Sequence, residues 1–555
     1  MGKKKFKKGK KEKDESSVSP SKSKSDEKSS GDKKIKKKAK KQKEAKKPEV
    51  KDVTPVVKIV DKKAIVDEHF PDRAQYHIYQ DVDNDFNGKY FACTLNKSDL
   101  DKNNNKFYII QLLEHDTTNQ LILFTRWGRV GVPGLHEEKP VDAKSGPRLF
   151  MRKYKDKTRG GYQEIFIDYE AEVKQEDAPK IKNNATDSKK KFKTTLDPDV
   201  MELISLIYNK KMISDNLHEI GYDSQKMPLG KLSPVTLTTG LNILKEIEAE
   251  LKNKNPNNEN LKKYSSEFYT QIPHNFGFQK MANFIIDSLD KVKEKIDMIS
   301  VLSDMKITLK ILENVDKEKT EEYENEEEKQ IHDYYKQLKC DIRTISPSEE
   351  IYSILKKYLT AKVDEKDSDH FGGYYGYRNH LSLVKAYELN RHGEKEKFLN
   401  KLGNKKLLWH GSRMTNFVGI LSQGLRIAPP EAPSSGYLYG KGVYFADMAQ
   451  KSSGYCYPVN KYALILLGEV ALGKEDQRTN CDFNLPRTLQ SGKNSVHALG
   501  RLEPKEGVTI DGDVFVPNGD SIINEKNQLC NDYAEYIVYN VDQIKLRYLL
   551  RIKYD

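Results

Sequence analysis

The hydrophobic period of this chain switches from strand-like to helical and back, so its 555 residues divide into several units rather than one core. From about 64 to 172 the apolar residues come in short β-type runs, QYHIYQD, KYFACTL, KFYIIQLLEH and LILFTRWGRVG, with Asn, Asp and Gly clusters between them. That pattern predicts a small sheet-rich module. From about 196 to 320 the period is helical. Val200, Leu203, Ile204 and Ile207 recur at i, i+3, i+4 and i+7, and Leu237, Leu241, Leu244, Ile247 and Leu251 line one face. Ser233-Pro234 ahead of the second stripe reads as an N-cap followed by Pro at the first helical position. Ile296, Ile299, Leu302, Met305, Leu309 and Leu312 make a third stripe, and the region is expected to be an all-helical bundle. From about 331 to 555 strand-length runs return, closing with YALILLGEVAL and EYIVYNVDQIKLRYLLRIKY, so a mixed or antiparallel β core is expected there. The aperiodic polar stretch 173–195 reads as a linker, and DKEKTEEYENEEEK at 316–329 as a charged connector. The fold class is multidomain α+β.

Charge is segregated as sharply as period. Residues 1–50 hold 21 Lys, no Arg and 8 acids, a surplus equal to the +13 of the whole chain. Residues 1–62 are too poor in apolar side chains to fold and are expected to be a disordered Lys-rich tail. Such an arm can simply solubilise; its dense, repeated Lys runs favour a polyanion-binding or nuclear-targeting role. No apolar segment follows the charges as in a secretory signal. The longest apolar run is interrupted by Glu469 and too short to cross a bilayer, so no membrane association is expected. Cys93, Cys340, Cys456, Cys481 and Cys530 include no C-x-x-C pair, which signals no metal module. Their odd number and irregular spacing suit reduced, buried thiols inside a cell.

Three distant stretches carry chemistry. LLWHGSR at 407–413 offers a histidine, GKGVYFAD at 440–447 a tyrosine in a Gly-rich turn and strand, and NDYAEYIVY at 531–539 a glutamate heading an apolar strand. Singly, a His before Gly-Ser suits a structural role and a Glu at a strand start suits a solvated edge. Together they resemble the His–Tyr–Glu signature of the poly(ADP-ribose) polymerases, which split NAD and transfer its ADP-ribose; the matching positions are His410, Tyr444 and Glu535. The resemblance extends through TNFVGILSQGLRIAPPEAP at 415–433 and covers roughly 64–555.

The resemblance implies a division of labour. Breaking the N-glycosidic bond of NAD develops an oxocarbenium-like centre, so an anion must sit beside it and the leaving amide must be gripped. Gly411 would let the backbone approach the carboxamide, His410 would bind a ribose hydroxyl, and Ser412 adds a small polar group. Tyr444 and Tyr455 would sandwich the nicotinamide, Ser452 would bond its amide, and Lys451 would point a cation into the cleft. Gly419 and Arg426 match adenosine-side contacts, and 424–436 resembles the donor-site loop. Glu535 would hold the ribose 2′-hydroxyl, stabilise the cationic transition state and polarise the attacking hydroxyl.

Two further stretches extend the likeness. RWGRVG at 126–131 sets Trp127 between Arg126 and Arg129, a flat ring with cationic donors on each side, and could equally be a hairpin turn with a core tryptophan; with NKFYIIQLL upstream it resembles the WGR module of DNA-dependent family members. Trp127 and Arg129 would then touch DNA breaks. KMPLGKLS at 226–233, by itself a Pro/Gly turn, resembles part of the family's helical regulatory domain. Asp297 and Asp304 match acids of its autoinhibitory face, whereas Ser300 replaces one; alone, these acids suit a solvated face. The layout resembles the short DNA-dependent type: tail 1–62, WGR module 63–172, linker 173–195, helical regulatory domain 196–320 and ADP-ribosyltransferase domain 331–555. The expected activity is nuclear, NAD-dependent protein poly-ADP-ribosylation triggered by DNA strand breaks, with NAD+ as substrate and no metal. Acceptors would be proteins including the enzyme itself, with an accessory factor at the acceptor site left open. Mono-ADP-ribosylation, or a DNA-end scaffold with a silent transferase domain, are the alternatives.

Overall fold

The computed structural model describes residues 66–81, 90–166, 191–219, 232–317, 323–362, 380–434, 436–524 and 529–555. The Lys-rich tail, most of the linker and residues 226–231 of KMPLGKLS lie outside them. The polypeptide is a mixed α+β assembly with a β-rich N-terminal region, a helical middle and a large C-terminal sheet.

In the first region the strands Ala92–Asp99, Asn104–His115, Leu121–Arg129 and Leu135–Val141 form an antiparallel meander, with Gln163–Ile165 paired to the first. Helix Gly146–Arg159 covers one face through the buried Phe150. Alternation decides which side of RWGR faces inward. Arg126 is buried, its guanidinium 2.9 Å from Asp67 and donating to the Pro133 carbonyl at 2.7 Å. The expectation of cationic donors on both sides of Trp127 is therefore corrected: Arg126 belongs to the interior.

The helical region starts where local chemistry requires. Asp197 accepts from the Asp199 N–H, with Pro198 at the first position of helix Pro198–Ile207. Ser233 caps helix Pro234–Leu251 in the same manner, accepting from the Thr236 N–H. Val200, Leu203, Ile204 and Ile207 are all buried, as are Leu237, Leu241, Leu244 and Ile247, while Leu251 is half-buried. Helix Leu289–Lys317 places Ile296, Ile299, Met305 and Leu312 in the same core. The charged connector is not extended chain throughout: Glu326–Leu338 is a helix. Glu326, Glu327 and Glu328 occupy its first turn, where the helix dipole favours them. Its buried Tyr334 and Leu338 fix it to the bundle, Tyr334 stacking on Tyr208 with ring centroids 4.6 Å apart.

The C-terminal sheet runs, among the described residues, through Glu475–Arg478, Ser495–Ala498, Glu535–Val538, Val443–Ala446, Lys405–Gly411, Tyr462–Ala471, Ile544–Tyr554, Leu381–Arg391 and Cys340–Thr344. Tyr462–Ala471 lies centrally and is almost wholly buried, hence its continuous apolar run. Its exception, Glu469, is buried because Arg547 meets it at 2.7 Å, Lys545 at 3.3 Å and Lys405 at 3.4 Å.

The cysteine expectation needs a correction as well. Cys93, Cys340 and Cys456 are buried free thiols, but Cys481 and Cys530 form a disulfide with Cα atoms 6.5 Å apart. Strand pairing around Glu475–Arg478 and Glu535–Val538 brings the two segments together, a proximity that a sequence separation of 49 hides.

Candidate active site

The three candidate residues rise from three adjacent strands. Val443–Ala446, carrying Tyr444, lies between Lys405–Gly411, ending just past His410, and Glu535–Val538, which begins at Glu535. Ala446 pairs with Glu535 on one side and with Trp409 on the other. Tyr444, two residues before Ala446, shares its face with Glu535.

Each side chain is held. The His410 Nδ1 lies 2.9 Å from the Tyr444 carbonyl, so Nδ1–H donates and Nε2 is left as an acceptor. Enclosure lowers the imidazole pKa below its ordinary value, the Tyr444 hydrogen bond opposing, which keeps it neutral at pH 7. The Tyr444 hydroxyl donates to the Gly440 carbonyl at 2.7 Å and accepts from the Tyr439 N–H at 2.9 Å. Burial, foremost, drives its pKa far upward, so it is a neutral phenol. Glu535 is 6% exposed. One of its oxygens meets Lys451 at 2.9 Å, and the other, Oε2, is buried without a hydrogen-bond partner. A buried carboxylate oxygen without a partner retains its capacity to accept a hydrogen bond and calls for an explanation.

The remaining candidates cluster around them. A Cβ on Gly411 would overlap the Ser452 carbonyl oxygen and approach Tyr455, so only glycine lets this strand meet helix Ala449–Ser453. Ser452 donates to the Trp409 carbonyl at 3.1 Å, and Ser412 accepts from the Asn416 amide at 3.0 Å. Gly419, in helix Phe417–Gln423, faces Asp304 of the helical region. Asp304 is buried and forms an ion pair with Arg426. Asp297 is exposed and within electrostatic reach of Lys293 and Arg413.

Sequence reasoning missed several neighbours. Lys293, one turn before Asp297, lies over the Tyr455 ring at 6.0 Å and against Gly436. Glu248 is buried and accepts from the Ser434 N–H at 3.2 Å. Thr415 accepts from the Asn216 amide at 3.0 Å. Lys293 could have been found from its four-residue spacing to Asp297; nothing local marks Glu248. Beneath the site, the Tyr536 hydroxyl donates to the buried Asp447 at 3.1 Å, and His497 stacks on Tyr536 at 4.3 Å. Burial foremost pushes Asp447 up to about 6.

Trp127 and Arg129 lie in the N-terminal sheet. Trp127 is half-buried and stacks on Tyr108 at 5.8 Å, and Lys157 sits 4.0 Å over that tyrosine. Arg129 donates to the Gly277 carbonyl at 2.7 Å and the Asn103 carbonyl at 3.1 Å, joining the strand to the helical region. A buried polar seam continues the junction. Asn96 donates to the Thr270 carbonyl at 2.9 Å, Asn105 to that of His274 at 2.9 Å, and the Ser98 N–H to the Thr270 hydroxyl at 2.9 Å.

Comparison with known proteins agrees with this arrangement. Residues 349–554 match the poly(ADP-ribose) polymerase catalytic domain, 194–335 the regulatory domain of the same polymerases, and 91–167 the WGR domain. The chain is 37% identical over 527 residues to poly(ADP-ribose) polymerase 2 of Zea mays, covering 91% of this chain and 76% of that protein. It is 36% identical over 484 residues to poly(ADP-ribose) polymerase 2 of Homo sapiens, covering 83% and 79%. Against poly(ADP-ribose) polymerase 1 of Gallus gallus it is 35% identical over 484 residues, covering 84% of this chain and 45% of that protein. The chain belongs to the poly(ADP-ribose) polymerase family, and its C-terminal sheet is that family's NAD+ ADP-ribosyltransferase domain.

Proposed function

We propose that this protein is a nuclear, DNA-break-activated poly-ADP-ribosyltransferase of the DNA damage response, and that His410, Tyr444 and Glu535 carry its chemistry. The observation that carries the reading is Glu535. Its carboxylate is buried, oriented by Lys451 at 2.9 Å, and keeps Oε2 free. In that reading Oε2 accepts a ribose hydroxyl and places negative charge beside the carbon losing nicotinamide. Neutral His410 offers Nε2 to a second hydroxyl. Tyr444 and Tyr455 hold the ring, Ser412, Ser452 and the bare Gly411 backbone grip the amide, and Gly419 and Arg426 border the adenosine side. A carboxylate here, with Lys451 beside it, also serves to polarise an incoming hydroxyl, which favours elongation over single transfer. Incubation with labelled NAD, with and without nicked DNA, tests the whole. Polymer that grows with DNA supports it, single ADP-ribose units point to mono-transfer, and no label points to a scaffold.

The DNA-dependent part rests on the N-terminal sheet, with Trp127 beside Tyr108 and Lys157 as its DNA face and Arg129 as its link to the helices. The Lys-rich tail would add salt-sensitive affinity for the same polyanion. Arg129→Ala is expected to lower DNA-stimulated activity about tenfold while basal activity and DNA affinity change little, because it removes the Gly277 contact that couples the two regions. Equal losses with and without DNA would make Arg129 merely structural. Trp127→Ala should instead weaken DNA binding itself.

A further inference from the structure

Cys481 and Cys530 differ from the other cysteines in place and accessibility. Cys93, Cys340 and Cys456 are buried, and burial holds their thiols well above the ordinary value, up to about 12 for Cys340 and Cys456. Such thiols are inert. Cys530 is exposed and Cys481 half-buried, so reagents in solution reach this pair. A disulfide in a protein that works in a reducing compartment is more often a sensor than a staple.

The pair also stands where a cross-link would be felt. Cys530 lies five residues before Glu535, and its N–H donates to the Thr479 carbonyl at 3.0 Å. The adjacent Asn531 amide donates to the Tyr439 hydroxyl at 2.9 Å. From Cys481, the neighbouring Asp482 N–H donates to the Leu438 carbonyl at 2.9 Å. The same loop puts the Leu485 carbonyl where a Cβ on Gly440 would lie. Tyr439 and Gly440 are the two residues whose backbone groups hold the Tyr444 hydroxyl. The bond thus joins the segment leading into Glu535 to the loop supporting the Tyr444 turn.

We propose that Cys481 and Cys530 are a thiol–disulfide modification site whose oxidant is a small-molecule disulfide such as oxidised glutathione, and that the disulfide holds Glu535 and Tyr444 in their working positions. The exposed Cys530 thiolate attacks the small disulfide, releasing one thiol and forming a mixed disulfide. The Cys481 thiolate then attacks the Cys530 sulfur and expels the second thiol. Two electrons pass from the protein to the small disulfide, and the two cysteine protons end on the two thiols released. Reduction by two thiols reverses both steps. The inference deepens the assignment of Glu535 as catalytic and rests on it.

The test uses the full-length enzyme with nicked DNA, equilibrated in glutathione buffers from fully reduced to fully oxidised. Alkylation and mass spectrometry report the state of the pair, and initial rates give kcat and KM for NAD. The pair is expected to convert from dithiol to disulfide across the series, with kcat rising about three- to tenfold as Glu535 is aligned and KM for NAD falling as Tyr444 is brought against the nicotinamide ring. The double variant Cys481→Ser/Cys530→Ser should hold the low kcat and ignore the buffer. A pair that stays in one state throughout, equal wild-type kcat at both ends, or a double variant as fast as the oxidised enzyme overturns the proposal. Glu535→Gln assayed alongside separates the two levels. If that variant is dead while the wild type ignores glutathione, the modification site alone fails; if it still makes polymer, the catalytic assignment beneath it fails.

Discussion

Glu535→Gln should abolish polymer formation, with a loss in kcat of about 100-fold or more, while NAD still binds. The amide keeps the shape of the carboxylate and can still accept a hydrogen bond from Lys451, now 2.9 Å from the carboxylate. What disappears is the charge facing the cationic centre. Because that charge matters far more in the transition state than in the bound substrate, the loss should fall on kcat rather than KM. The substitution also removes the charge partnering Lys451 at 2.9 Å in a site where Glu535 is only 6% exposed. Some loss of stability is therefore expected, and a thermal melt must accompany the assay. A folded variant that makes long polymer on a denaturing gel would sink the assignment.

How much of this was legible beforehand depends on the reach of the interactions. The helical stripes were readable because their period is local: Val200, Leu203, Ile204 and Ile207 are buried as spacing demands. His410, Tyr444 and Glu535 could be singled out from short flanking motifs, and their strands prove to be neighbours in one sheet. Features made by residues far apart were not legible. Helix Glu326–Leu338 straddles the border between the connector expected at 316–329 and the β-type region expected from about 331, and its buried Tyr334 and Leu338 find partners only across the bundle. Arg126 looked like a surface donor until strand pairing turned it toward Asp67, 59 residues away. Cys481 and Cys530 meet through a sheet order that spacing does not encode. Glu248 and Lys293 act on residues about 140 to 190 positions downstream, beyond any window of periodicity.

Those last contacts define the second large expectation: loosening the helical region should switch the enzyme on without DNA. Helix Leu289–Lys317 presents Lys293 to Tyr455 and Asp304 to Arg426, while Glu248 from Pro234–Leu251 holds the Ser434 N–H. On the proposed assignment of the site these contacts would occupy the nicotinamide side, the adenosine side and the loop between them, so a seated helix and a full cleft would compete. Asp304→Ala removes the Arg426 partner. Arg426 is the more solvated member of the pair, its side chain 41% exposed against 11% for Asp304, so freeing it costs little. The substitution should therefore weaken the closed state more than it harms the fold. Closed and open states of such a device differ by about 1–3 kcal/mol, which corresponds to roughly 5- to 150-fold in a coupled activity. Asp304→Ala with Glu248→Ala should bring DNA-free activity close to the DNA-stimulated rate of the wild type and lower KM for NAD. Amide exchange across Leu289–Lys317 should become faster in the variant without DNA, as in the wild type with nicked DNA. If the double variant melts normally, binds a nicotinamide analogue and still shows the wild-type ratio of stimulation by DNA, the helices are not the lid. The seam formed by Asn96, Ser98, Asn105 and Arg129 would then have to reach the transferase sheet by another route.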